Sequence, residues 1–144
     1  MIELNLYSKD ANTILAILGT LFTWLFGAWD LSLMILVTVM ALDYVTGVTR
    51  GYVNKQLSSE YGFRGLAKKL TIFYVLILAV LIDRIIGNGW IFRTLVCFWY
   101  TGNEGASVLE NAAAIGLPVP VQLVDALEQL KEGNKKYNNK SEVE

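Results

Sequence analysis

From Leu31 to Leu42 the chain is apolar apart from Ser32 and Thr38, and then it meets a carboxylate at Asp43. It continues as Asp43-Tyr44-Val45-Thr46-Gly47 and leaves the apolar phase at Arg50. A basic connector follows, with Arg50, Lys55, Arg64, Lys68 and Lys69 against one acid, Glu60, and a second long apolar run starts at Leu70. A charge inside an apolar helix, followed by a short basic loop, is the layout of a multi-pass membrane protein with a cytoplasmic loop. The rest of the chain is placed relative to that loop.

Composition agrees. Hydrophobic residues make up 54% of the 144 positions and charged residues 17%, below the roughly 25% usual in soluble domains. The length suits one domain. A net charge of −1 argues against nucleic acid as a partner. Histidine is absent and Cys97 is the single cysteine. Those counts remove the common metal sites and the Cys/His and Ser/His catalytic pairs, so neither a cofactor nor an enzymatic activity is expected. One thiol makes no internal disulfide, and Cys97 reads as a small buried apolar residue.

The expected architecture is all-α and integral to the membrane: about four transmembrane helices in two hairpins, then a short amphipathic helix. The spans fall at about 11–29, 31–50, 66–86 and 90–115, within a transmembrane domain of residues 1–117. The uncharged run Ala11 to Trp29 is about long enough for roughly 30 Å of hydrocarbon. A signal peptide is the competing reading, but the run has no basic n-region and no clear cleavage site. Gly27 to Asp30 and Gly87-Asn88-Gly89 read as turns. Ser58 or Ser59 is a candidate cap for the third helix, Gly62-Phe63-Arg64-Gly65 reads as an interfacial elbow, and Gly116-Leu-Pro118-Val-Pro120 as a helix stop. Val121 to Glu132 has amphipathic helical spacing, and residues 118–144 form a cytoplasmic segment ending in a polar, disordered tail. The basic connector belongs in the cytoplasm, which puts both termini there. A three-span arrangement, with the last long helix in the interface, would put the C-terminus outside.

The chemistry lies in charges that a bilayer does not tolerate singly. Asp43, Thr46, Gly47 and Gly51 are candidates for close helix packing, Gly47 and Gly51 as a small-xxx-small pair. Asp43 is either wetted at the interface, paired with a basic residue on the third helix, or part of a water-filled path. Asp83, Arg84 and Arg93 are candidates for pairing between helices, for example Asp83 with Arg93. Asn103, Glu104, Ser107, Glu110 and Asn111 recur at intervals of three and four. They read as one polar stripe, which must face protein or water: an oligomer surface, the wall of an aqueous opening, or part of a bundle outside the membrane.

At these residues a family resemblance enters. The ordered set is Asp43-x-x-Thr46-Gly47, Lys55-x-Leu57-Ser58-Ser59, Gly62-x-x-Gly65, Lys68-Lys69 and Asp83. It continues with Asn103-Glu104-x-x-Ser107-x-x-Glu110-Asn111, Gly116-x-Pro118-x-Pro120 and Leu127-Glu128-x-Leu130-Lys131. It resembles the phage holins of the toxin-secretion and phage-lysis family, over roughly residues 30 to 131. The resemblance implies a small protein of the bacterial cytoplasmic membrane that contacts lipid, self-associates and opens lesions. An endolysin or a toxin then leaves the cell without binding it stably. A non-lytic structural or regulatory membrane protein, or a small channel, is the alternative.

Overall fold

The computed structural model describes residues 2–87 and 89–132, and among them it holds five helices and no strand. They are α1 (Ile2–Phe26), α2 (Leu31–Val53), α3 (Ser59–Ile86), α4 (Ile91–Ala114) and α5 (Val121–Glu132). The expected tail, 133–144, lies outside the described residues, as does Asn88.

Turn chemistry separates the helices where the sequence offers it. Gly27, Gly87, Gly89 and Gly116 have φ of +78°, +75°, +73° and +87°, a region costly for residues with a Cβ. Asp30 caps α2, its carboxylate accepting from the Leu33 N–H at 3.1 Å. Helix α4 stops at Ala114, ahead of Pro118 and Pro120.

The connector after α2 differs from its expected form. Helix α3 begins at Ser59, where a cap at Ser58 or Ser59 is expected and ahead of the span expected from about 66, and it runs through Gly62 and Gly65, so no elbow forms there. Arg64, Lys68 and Lys69 therefore sit on α3 and Arg50 on α2, leaving Lys55 in the connector proper. Lysine, arginine and glutamate are good helix formers. Glu60 and Arg64 also make an i,i+4 ion pair at 3.1 Å. Turn chemistry is confined to Asn54–Ser58, where Lys55 has φ +55°.

Helix α4 lies at the centre, packed against α2, α3 and α5, while α1 touches α3 lightly. Phe26 meets Phe73 edge-on at 5.6 Å. Leu33, Leu36 and Met40 line one face of α2 and pack with Ile72 and Leu76 of α3 and Cys97 of α4. Cys97 is fully buried there, as a small apolar residue would be.

The outer surface is apolar too. Ile14, Leu15, Ile17 and Leu18 on α1, Leu42 and Val45 on α2, Leu70 and Leu78 on α3, and Phe98 and Trp99 on α4 are exposed. Helices apolar all round suit lipid better than water. Two segments, Leu31–Val53 and Gly62–Ile86, are long and apolar enough to cross a membrane, with mean hydropathies of 1.9 and 2.1. Asp10–Phe26 is apolar but shorter. Helix α4 is not in that class; it spends its inner face on Arg93, Thr101, Glu104 and Asn111, all buried.

Candidate functional site

Two layers of buried polar groups tie the helices together. The first joins α2, α3 and α4 midway along the bundle. Lys69 donates to Asp43 at 2.8 Å and to Glu104. Glu104 is wholly buried and Lys69 nearly so. The other Glu104 oxygen accepts no hydrogen bond but lies 3.3 Å from the Lys68 ammonium. The Asn111 amide donates to Asp43 and to the Thr46 hydroxyl, both at 3.2 Å, and its carbonyl accepts from Arg50 at 3.3 Å. Ser107 lies beside Asp43.

The spacing explains the convergence. Asp43, Thr46, Gly47 and Arg50 fall at i, i+3, i+4 and i+7, on one face of α2. Glu104, Ser107 and Asn111 do the same on α4. Gly47 faces Asn111: a Cβ there would stand 3.6 Å from its amide nitrogen, in ordinary contact. Gly51, one turn on, is buried. Burying two carboxylates is costly unless cations and further donors satisfy them; here two lysines, Asn111 and Ser107 do so.

The expected single stripe on α4 divides in two. Glu104, Ser107 and Asn111 turn inward. Asn103 is half-buried, and Glu110 is exposed beside α5, in a small cleft with Val124 and Glu128. Neighbouring helical positions point about 100° apart, so 103 and 110 share one face while 104 and 111 share another. Helix α5 folds back along α4, with Leu127 so close to Gly105 that an added Cβ would stand 2.7 Å from it.

The second layer sits at the turns. Arg93 is wholly buried. Its guanidinium donates to Asp30 at 2.7 and 3.2 Å, and to the carbonyls of Phe26 and Ala28, both at 2.6 Å. It thereby holds the α1–α2 turn. Gly27 makes room for it, since a Cβ there would lie 2.9 Å from Arg93 Nε. The Arg93 guanidinium keeps the Asp30 carboxyl well below the usual carboxylate range, against a smaller opposing push from burial.

The expected side-chain pairing of Asp83 with Arg93 is replaced by another contact. Asp83 accepts from the backbone N–H groups of Phe92 and Arg93, at 3.0 and 2.8 Å. A carboxylate from α3 thus caps the start of α4, where unpaired amides and the helix dipole favour negative charge. Arg84 lies over the Trp24 ring at 5.1 Å, linking α3 to α1 by a cation–π contact. Asp43 pairs with a basic residue of the third helix, Lys69, as one of its expected readings had it; two features escaped the sequence reading, Asp30 as the partner of Arg93 and Glu104 as the second partner of Lys69. The N-cap position of Asp30 and the heptad spacing of Glu104 and Asn111 were their signals. No cluster suited to a metal ion occurs among the described residues.

The geometry is that of a small helical protein with an apolar exterior, paired charges inside, and two helices long and apolar enough to span a bilayer. The chain belongs to the bacteriophage holin family, whose model matches residues 20–132. It is 53% identical over 120 residues to a 14.9 kDa protein of Clostridium perfringens, covering 83% of this chain and 89% of that one. A Listeria monocytogenes protein is 41% identical over 103 residues, 71% of this chain and 73% of its own. A probable holin of Bacillus phage phi105 is 31% identical over 112 residues, 78% of this chain and 82% of its own. No solved structure matches the chain.

Proposed function

We propose that this protein acts as a holin in the bacterial cytoplasmic membrane: it oligomerises there and opens lesions that let an endolysin, or a toxin, leave the cell. The observation that carries the reading is the buried cluster of Asp43, Lys69 and Glu104 inside a bundle whose outer faces are apolar. Family membership and the probable holin of phage phi105 support it.

In this reading α1 to α4 all cross the bilayer. Within α1, the apolar segment Asp10–Phe26 alone measures about 25 Å. Helix α4 is tolerated because its polar groups find partners on α2 and α3. The stretch of α2 from Asp30 to Asp43 measures about 20 Å at 1.5 Å per residue, short of the roughly 30 Å of hydrocarbon. With Asp30 at the outer boundary, the inner cluster lies within the membrane's depth. The α1–α2 and α3–α4 turns face outward, and the α2–α3 connector and α5 face the cytoplasm.

The mechanism is a choice between two packings. In a dilute protein the α4 charges are satisfied within one chain. At high surface density, copies meet through apolar faces that otherwise touch lipid, α1 above all. A repacked oligomer turns the Glu104 face to water, where its charges no longer need Lys68 and Lys69. Such a switch requires the two packings to differ by only a few kcal/mol.

Induced expression in a bacterium carrying a cytoplasmic reporter enzyme tests the function. Abrupt depolarisation after a delay, with release of the folded enzyme, is expected. Depolarisation without enzyme release would indicate a small channel. No effect at confirmed membrane expression would leave a structural or regulatory role.

A further inference from the structure

Between α2 and the first turns of α3, beside the inner cluster, a cleft of about 510 Å³ opens to the surface. Its volume is in the range of small-molecule sites, about 300–1,000 Å³. Arg50, Arg64, Lys68 and Lys69 line it, with Asp43 and Tyr44. Gly62 and Gly65 leave its wall bare: a Cβ at either position would stand 3.7–3.8 Å from Tyr44, in ordinary contact. The space beside the ring therefore comes from side chains that α3 lacks.

The charges do not cancel. Arg64 pairs with Glu60, Lys68 with Glu104, and Lys69 with both Asp43 and Glu104. These three carboxylates leave one of the four cations over. Arg50 has no ion-pair partner among the described residues; its guanidinium donates to the neutral Asn111. An unbalanced, half-buried guanidinium in an open cleft invites a single negative charge with oxygens that its planar fork can reach. Exposed apolar residues Phe63, Leu66 and Leu70 lie on the neighbouring face of α3, about 100° round from Gly62, Gly65 and Lys69.

We infer that this cleft binds the headgroup of an anionic glycerophospholipid, with its phosphodiester on Arg50 and Lys68 and its acyl chains along Leu66 and Leu70. One phosphodiester supplies the single charge that the cleft lacks. The apolar flank favours a lipid over free phosphate, and Arg50, about 30 Å along α2 from Asp30, stands near the inner boundary where headgroups lie. Basic pockets between helices at the cytoplasmic side are suited to such headgroups. The site shares Lys68 and Lys69 with the inner cluster and rests on the orientation proposed above; its test is read on purified protein, so either idea can fail alone.

The test is native mass spectrometry of the full chain in detergent, titrated with dioleoyl phosphatidylglycerol or dioleoyl phosphatidylcholine. Wild type should retain one phosphatidylglycerol at concentrations where phosphatidylcholine is lost, and millimolar inorganic phosphate should not displace it. Arg50→Gln should weaken retention about tenfold or more, the loss expected for one charge-assisted hydrogen bond. Lys55→Gln, which removes a cation outside the cleft, should not. Equal retention of the two lipids, or an unchanged Arg50→Gln variant, would overturn the inference. Displacement by phosphate would show a soluble anion as the ligand and overturn the lipid assignment. Should Arg50→Gln fail to fold, the discrimination between lipids by wild type still decides.

Discussion

Replacing Lys69 by methionine removes one ammonium from between two carboxylates. Met keeps most of the side chain's length and bulk, so the effect is chiefly electrostatic. Asp43 retains Asn111 and Ser107. Glu104, wholly buried, is left with Lys68 at 3.3 Å. Breaking a buried pair by removing one partner costs about 3–5 kcal/mol, because the other charge stays behind. Glu104→Leu strands Lys69 less severely, since Asp43 still holds it at 2.8 Å; losing the charged hydrogen bond should cost about 1.5–3 kcal/mol. In Lys69→Met/Glu104→Leu neither charge remains, and the double variant should lose less than the sum of the two, by about 1–3 kcal/mol. Unfolding of each variant by SDS in mixed micelles, followed by far-ultraviolet circular dichroism, gives the four free energies. Singles that add to within about 0.5 kcal/mol would refute the argument that Lys69 and Glu104 form one energetic unit.

The layer at the turns has a pH signature. Arg93 depresses the Asp30 carboxyl, so the stability it contributes is present above the unfolded value, near pH 4, and is lost as the pH falls through the lower folded value. Wild type should lose stability progressively below about pH 4 in the same unfolding assay, and Asp30→Asn should remove the part due to this contact. At the α4–α5 contact, Gly105→Ala can be met by a rotation of the Leu127 terminus, whereas Gly105→Phe has no such escape. Amide hydrogen exchange over Val121 to Gln129 should accelerate at least tenfold in Gly105→Phe and little in Gly105→Ala, tenfold corresponding to about 1.4 kcal/mol of lost docking.

Much of the fold was legible because turn chemistry and apolar runs report locally. Gly27, the Gly87–Gly89 pair and Gly116 mark chain reversals whose left-handed backbone needs glycine. The elbow expected at Gly62–Gly65 is helix because a basic stretch reads equally as loop and as exposed helix; Glu60–Arg64 and the helix propensity of lysine decide for helix. The polar partners were harder. Periodicity assigns Glu104 and Asn111 to one face, but the facing residue depends on how α3 slides along α4, which no local signal encodes. The Asp83–Arg93 expectation found the right neighbours and the wrong atoms, since a carboxylate meets backbone amides as readily as a guanidinium. Helix α5 looked amphipathic in sequence, and its docking on α4 rests on a glycine whose role is visible only once Leu127 is opposite it.

Cys97 permits the most direct test of the proposed switch without any substitution. It is fully buried and lies two turns before Glu104, at i and i+7, on the same face of α4. Cells expressing the protein would be exposed to a membrane-impermeant maleimide before and after the onset of depolarisation, and the extent of labelling measured by mass. The account predicts a protected thiol before onset and a labelled one afterwards, as the Glu104 face turns to water. Lesions that release a cytoplasmic enzyme while Cys97 stays protected would contradict it, and so would a thiol already labelled before onset.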